Sequence, residues 1–247
     1  MIKAVLLDLD NTLILFDEPG FYRSFFDEMA SAFEDLIPAE DLIRRCVAAT
    51  MALKENRGSM LNRDWFSRAF DAGDGLPMTR FWDRWLRFYR EIYGPFGTLV
   101  TVPAGQADLV HRLVHRGVMR VIASNPIFPG IALERRMAWG GLDPADFSML
   151  TTMDNMSFVK PHAGYFSSIA EALGVAPKEC LMVGNDPVND MAAAGAGMMT
   201  YRTTDASEVH FATLTGEAPA AAADNAPAPD FHGPLSRVWE TITPLLG

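Results

Sequence analysis

Cysteine is scarce in this chain: 247 residues carry only Cys46 and Cys180. The two fall in different predicted elements and match no metal-ligand spacing. That excludes a disulfide framework and a cysteine zinc site, and leaves two buried thiols in a reducing compartment. Basic charge is also short, with 21 Lys and Arg against 31 Asp and Glu and a formal net charge of −10. No basic stripe exists to release counterions, which excludes nonspecific binding to nucleic acid or to an anionic membrane surface. Long apolar runs are missing too, since no segment reaches the roughly 18 residues that a membrane span requires. The opening run Met1–Leu7 is interrupted by Lys3, ends at Asp8 and has no cleavage site, so it does not read as a secretory signal. These absences predict a cytoplasmic protein with no membrane or nucleic-acid partner.

A small phosphorylated molecule remains compatible with the acidic balance. Exposed charges are screened beyond about 8 Å at physiological ionic strength, so a cation and one lysine inside a pocket outweigh distant surface carboxylates. The hydrophobic fraction of 49% and the length suit one core plus one modest insertion.

Several short aliphatic runs end in a polar residue, the pattern of buried parallel strands. Residues 2–7 lead to Asp8, 118–123 to Ser124, 147–150 to Thr151 and 180–183 to Gly184, and a further run covers 198–201. Helical spacing separates them, as at Leu109, Val110, Leu113 and Val114 before Gly117, and at Tyr165, Phe166, Ile169 and Leu173 before Gly174. Strand alternating with helix predicts a Rossmann-like α/β fold whose ligand sits beyond the carboxyl ends of the strands. Residues 16–101 break the rule. They carry helical periodicity and many aromatics, predicting an inserted α-helical domain with those aromatics as its core, while 1–15 and 102–247 form the main domain. Gly216–Asp230, rich in alanine and proline, reads as a flexible connector, and Leu235, Val238, Trp239, Ile242 and Leu245 as a short amphipathic helix that docks back on the core.

Four motifs carry chemistry. Asp8-Leu9-Asp10-Asn11-Thr12 follows the first strand; two acids so close together repel unless a cation or a shared proton lies between them. Ser124-Asn125-Pro126 offers a hydroxyl and backbone N–H groups to phosphate oxygens. Lys160-Pro161 precedes a helix and supplies a positive charge. Gly184-Asn185-Asp186-Pro187-Val188-Asn189-Asp190 follows another strand with further acids. Elsewhere, His111 and His115 share a helix face without a third ligand and read as surface residues, and Gly195 and Gly197 read as a helix stop.

In order and context, the four motifs resemble those of the haloacid-dehalogenase superfamily. The segment from Asn125 through Phe128, Arg135, Trp139 and Gly141, with Lys160-Pro161-His162, resembles its phosphatase members. The resemblance implies a magnesium-dependent phosphohydrolase acting on a small phosphomonoester. Asp8 would be the nucleophile, Asp10 the proton donor and acceptor, and Thr12 a support of the turn. Ser124 and Asn125 would bind the phosphoryl group, Lys160 would balance charge, and Mg²⁺ would be held by Asp8, the Asp10 carbonyl and the acidic motif. Dehalogenase members lack the second acid because halide leaves without a proton, so Asp10 favours phosphoryl transfer. The chain departs from the pattern at Asn185, where the family often has aspartate. Either Asp186 binds the metal and Asp190 orients Lys160, which is the preferred reading, or Asn185 binds through its amide oxygen. A helical cap would close over the site and select the substrate. A phosphomutase of the same fold, or a weakly catalytic protein that binds a phosphate ligand, are the alternatives.

Overall fold

The computed structural model describes residues 1–16, 18–206 and 226–246. Its centre is a six-stranded parallel sheet in the order β5-β4-β1-β6-β7-β8. The strands are β1 (Ala4–Leu7), β4 (Met119–Ile122), β5 (Met149–Leu150), β6 (Cys180–Gly184), β7 (Met199–Thr203) and β8 (Phe231–Gly233). Alternation within the buried β1 decides the two faces. Val5 and Leu7 join Leu109, Leu113, Val183, Val238 and Ile242 on one side, whereas Ala4 and Leu6 join Tyr165, Phe166, Ile169 and Met182 on the other. Helices α5 (Gln106–His115) and α8 (Val238–Ile242) cover the first face and α7 (Ala163–Leu173) the second. This is the Rossmann-like α/β fold expected from the strand-helix alternation.

The five expected strands are present, and two features had no forecast. β8 extends the sheet along β7. A two-residue strand, β2 (Leu15–Phe16), pairs antiparallel with β3 (Val100–Thr101) and brackets the insert. Between them lie α1 (Glu18–Phe33), α2 (Ala39–Ala52), α3 (Asn62–Phe70) and α4 (Met78–Glu91). Their aromatics are core, as their spacing implied: Phe21, Phe33, Phe66, Phe70, Phe81, Phe88 and Tyr89 are each at most 2% exposed. That core runs on into the sheet domain through Ala132 of α6 (Gly130–Trp139), Met153 and Val159.

Local details refine the sequence reading. The stretch after Asp190 forms a 3-10 turn over Met191–Ala196, stopped by Gly197 in the left-handed region (φ 87°). The docking helix at the end is split into Leu235–Arg237, α8 and Thr243–Leu245, its last piece carrying Pro244, which cannot donate an N–H to a continuing helix. Most of the expected connector, residues 216–225, lies outside the described residues. Its end is anchored, since Asp230 Oδ2 accepts from Thr200 N at 2.8 Å. Both cysteines are buried free thiols. Among the described residues no helix is long and apolar enough to cross a membrane.

Candidate active site

The carboxyl ends of β1, β4 and β6 converge because these three strands are neighbours in register. Ala123 N donates to Leu7 O at 2.7 Å and Asp8 N to Val183 O at 2.9 Å, so Asp8 emerges between the ends of the flanking strands. The chain then turns at once. Thr12, Leu13 and Ile14 all donate to Leu9 O, and Asn11 takes a left-handed conformation (φ 60°), which asparagine tolerates better than most residues.

The turn sets the acids at their stations. Asp8 is buried, with Oδ1 3.0 Å from Lys160 Nζ and Oδ2 accepting from Thr12 Oγ1 at 3.2 Å. Lys160 is buried as well and donates to Asp190 Oδ1 at 2.6 Å. It arrives from the loop before α7, where its own N–H donates to Asn125 Oδ1 at 3.2 Å, so the second motif steers the third. Ser124 is buried beside them, its carbonyl 2.7 Å from Thr151 Oγ1 and 2.9 Å from Tyr165 Oη. The structure thus brings Asp8, Thr12, Lys160, Asn125 and Asp190 into one bonded network, with Ser124 fixed at the neighbouring strand end.

Within the acidic motif Asp190 is the residue bonded to Lys160. The Asp186 carboxylate is engaged within its own turn: Oδ1 accepts from Val188 N (2.8 Å) and Asn189 N (2.9 Å), and Oδ2 from Asn189 Nδ2 (2.8 Å). Asn185 is the residue turned toward Asp8, its Oδ1 3.2 Å from the same Thr12 hydroxyl that reaches the Asp8 carboxylate. Asp190 packs against Gly184, where any side chain would collide with its carboxylate.

Two residues escaped the sequence reading. Arg136 of α6 is 1% exposed and ion-paired with Asp10 Oδ2, and its Nε donates to Tyr93 Oη at 2.8 Å. The signal was available, because Arg136 lies on the buried stripe of α6 with Ala132, Leu133 and Met137, where an unpaired charge is not tolerated. Asn62, fully buried at the start of α3, donates to Pro126 O (3.3 Å) and Phe158 O (3.1 Å), tying the insert to the loops that carry the site.

Burial and neighbouring charges set the electrostatics of the site. Burial pushes Asp8 up to about 8, helped by Asp190 and Asp10 and opposed by Lys160. Burial likewise raises Asp190. Lys160 stands above its ordinary value: burial works against its charge, but Asp190 and Asp8 outweigh that effect. Burial thus works against the charge of both carboxylates that Lys160 bridges, and a further cation beside Asp8 would favour its ionised form. Among the described residues no three His, Cys, Asp or Glu side chains cluster as metal ligands. The oxygens on offer, the Asp8 carboxylate and the Asn185 amide, are hard donors. They suit Mg²⁺, which takes one or two carboxylates and completes its shell with water and phosphate.

Comparisons with known proteins identify relatives of the chain. Residues 2–197 match the model of the haloacid dehalogenase-like hydrolase family. A phosphoglycolate phosphatase of Rhodospirillum rubrum is 29% identical over 204 residues, covering 80% of this chain and 78% of that protein. Among solved structures, an HAD phosphatase from Thermococcus onnurineus aligns with a TM-score of 0.57 at 20% identity over 98% of both chains. The L-2-haloacid dehalogenase of Xanthobacter autotrophicus with chloropropionic acid covalently bound aligns with a TM-score of 0.59 at 19% identity, over 98% of this chain and 99% of that one. At these identities the structural likeness speaks to the fold alone.

Proposed function

The chain belongs to the haloacid dehalogenase-like hydrolases, and on that footing we propose that it hydrolyses a small phosphomonoester through a phosphoryl group carried on Asp8. The observation that carries this reading is the pair of acids after β1. Asp8 is buried between Lys160 and Thr12, and Asp10 stands two residues on with one oxygen tied to Arg136 and the other, Oδ1, buried without a hydrogen-bond partner among the described residues. A dehalogenase has no use for the second acid. An alkoxide leaving group does.

In the first step a carboxylate oxygen of Asp8 attacks phosphorus and the ester P–O bond breaks, the departing oxygen taking its proton from Asp10. In the second step Asp10 takes a proton from water, the resulting hydroxide attacks phosphorus, and the bond to Asp8 breaks to release inorganic phosphate. Lys160 compensates charge on Asp8 and on the phosphoryl oxygens, held for that task by Asp190. Ser124 and Asn125 receive the phosphoryl oxygens. Asn185, with Asp8 and the Asp10 carbonyl, would hold Mg²⁺, which when bound neutralises phosphoryl charge and keeps Asp8 ionised. Asp186 serves the turn that presents Asn185. Residues 16–101 act as the cap that closes over the site and selects the organic portion of the substrate. Two buried free thiols accord with work in the reducing cytoplasm.

The test is inorganic phosphate release from a panel of phosphomonoesters with Mg²⁺ and with chelator. Magnesium-dependent release supports the reading. A bisphosphate product without net release would assign the chain to the mutases, and binding without turnover would make it a phosphate-ligand receptor.

A further inference from the structure

Arg136 is buried among aromatic rings. Its guanidinium carbon lies 4.1 Å from the ring centroid of Phe128, 5.7 Å from that of Phe21 and 5.9 Å from that of Tyr93. Phe128 belongs to the loop after β4, whereas Phe21 on α1 and Tyr93 just after α4 belong to the helical insert. Trp139, on the same helix as Arg136, packs against Tyr93 (4.8 Å) and Phe21 (5.9 Å) and closes the aromatic enclosure. Within it, Nη1 meets Asp10 Oδ2, Nε meets Tyr93 Oη, and Nη2 is buried with no hydrogen-bond partner among the described residues.

A guanidinium buried this completely needs an acceptor held in place, and here that acceptor is Oδ2 of the residue that gives and takes the proton in the proposed reaction. The pairing is asymmetric. It occupies Oδ2 and leaves Oδ1 as the one Asp10 oxygen able to exchange a proton. We propose that Arg136 is a positioning residue: it sets the orientation of Asp10 so that Oδ1 serves the leaving oxygen, and it is itself aligned by Tyr93 and Phe21, so that proton transfer depends on the seating of the insert. This rests on the hydrolytic reading above.

A positioning role predicts a loss that grows with the basicity of the leaving group, because an acidic phenol departs with little help and an alkoxide does not. The substrates are 4-nitrophenyl, phenyl and benzyl phosphate, which share an aromatic body, with kcat/KM measured in Mg²⁺ so that only steps through phosphorylation of Asp8 are read. Arg136→Met is expected to lower kcat/KM on benzyl phosphate by about 100-fold or more, within the range of general-acid contributions, and on 4-nitrophenyl phosphate by less than about tenfold. Arg136→Lys should restore part of the benzyl phosphate activity. Tyr93→Phe removes one hydroxyl from the enclosure and should give the same leaving-group bias at smaller size, which decides the matter if Arg136→Met does not fold. Circular dichroism and thermal unfolding establish that each variant is native. Losses equal across the three substrates, or no loss, in folded variants of an active enzyme would overturn the role of Arg136 alone. A folded wild type inert toward all three would overturn the hydrolytic reading and this inference with it.

Discussion

Lys160→Met removes the ammonium that stands between two buried carboxylates and replaces it with a side chain of similar length. Lys160 is 3.0 Å from Asp8 and 2.6 Å from Asp190, and its side chain is 1% exposed. Stranding a buried charge by deleting its partner costs about 3–5 kcal/mol. For a protein of this size that corresponds to a drop in Tm of about 6–20 °C. The pH dependence has a definite sign. Burial has already raised Asp8 from 3.8 to about 8, and has raised Asp190 as well. The variant loses the opposing pull of Lys160, so both rise further. A carboxyl raised in the folded state contributes stability that is present below its unfolded value and is lost as pH climbs through the folded value. The deficit of the variant should therefore grow as pH climbs above about 8, where wild-type Asp8 ionises and the variant's does not, and be larger at pH 9 than at pH 5. Thermal unfolding in chelator at both pH values measures it, and Lys160→Met with Asp190→Asn should recover part of the loss by removing one of the two stranded charges. A variant as stable as wild type at pH 9, or one more damaged at pH 5, would refute the charge network.

Magnesium binding to the metal-free protein at pH 7 should release protons, because a carboxyl at about 8 must ionise to become a ligand; titration calorimetry in buffers of different ionisation enthalpy reads this, and buffer-independent heats would contradict it. Asn185→Asp should tighten Mg²⁺ binding by adding ligand charge, whereas Asp186→Asn should lower Tm by weakening a turn with three bonds to that carboxylate and leave Mg²⁺ affinity nearly unchanged. The reverse pattern would return the ligand role to Asp186. Gly58 has φ +84° and lies against Phe158, whose Cζ would be 2.5 Å from an added Cβ. Gly58→Ala should cost about 1–3 kcal/mol through strain and overpacking where the insert meets the site loops, a loss that denaturant unfolding measures and whose absence would show that the junction yields freely.

The sheet was legible because buried parallel strands are written as apolar runs that stop at a polar residue, and Asp8, Ser124 and Gly184 each follow such a run. The aromatic insert was legible for a similar reason, since helical spacing of Phe81, Trp82, Trp85, Phe88 and Tyr89 admits one buried face. The β2–β3 pair was not, because two residues carry no periodicity. β8 was hidden for a related reason: its three residues are an edge with no fully buried position. The hydrogen bonds of Asn185 and Asp186 hinge on the path of one turn, in which the Val188 and Asn189 N–H groups donate to the Asp186 carboxylate. Arg136 pairs with an acid 126 residues away. A lone charge on an apolar stripe announces that it needs a partner but not which one.

Acid-quenched mass spectrometry of the enzyme mixed with substrate and Mg²⁺ reads directly whether Asp8 carries the phosphoryl group. Wild type should carry a phosphoryl adduct on the peptide bearing Asp8, with neither adduct nor turnover in a folded Asp8→Asn variant. Phosphate release that persists in that variant, or an adduct on another residue, would contradict that role of Asp8.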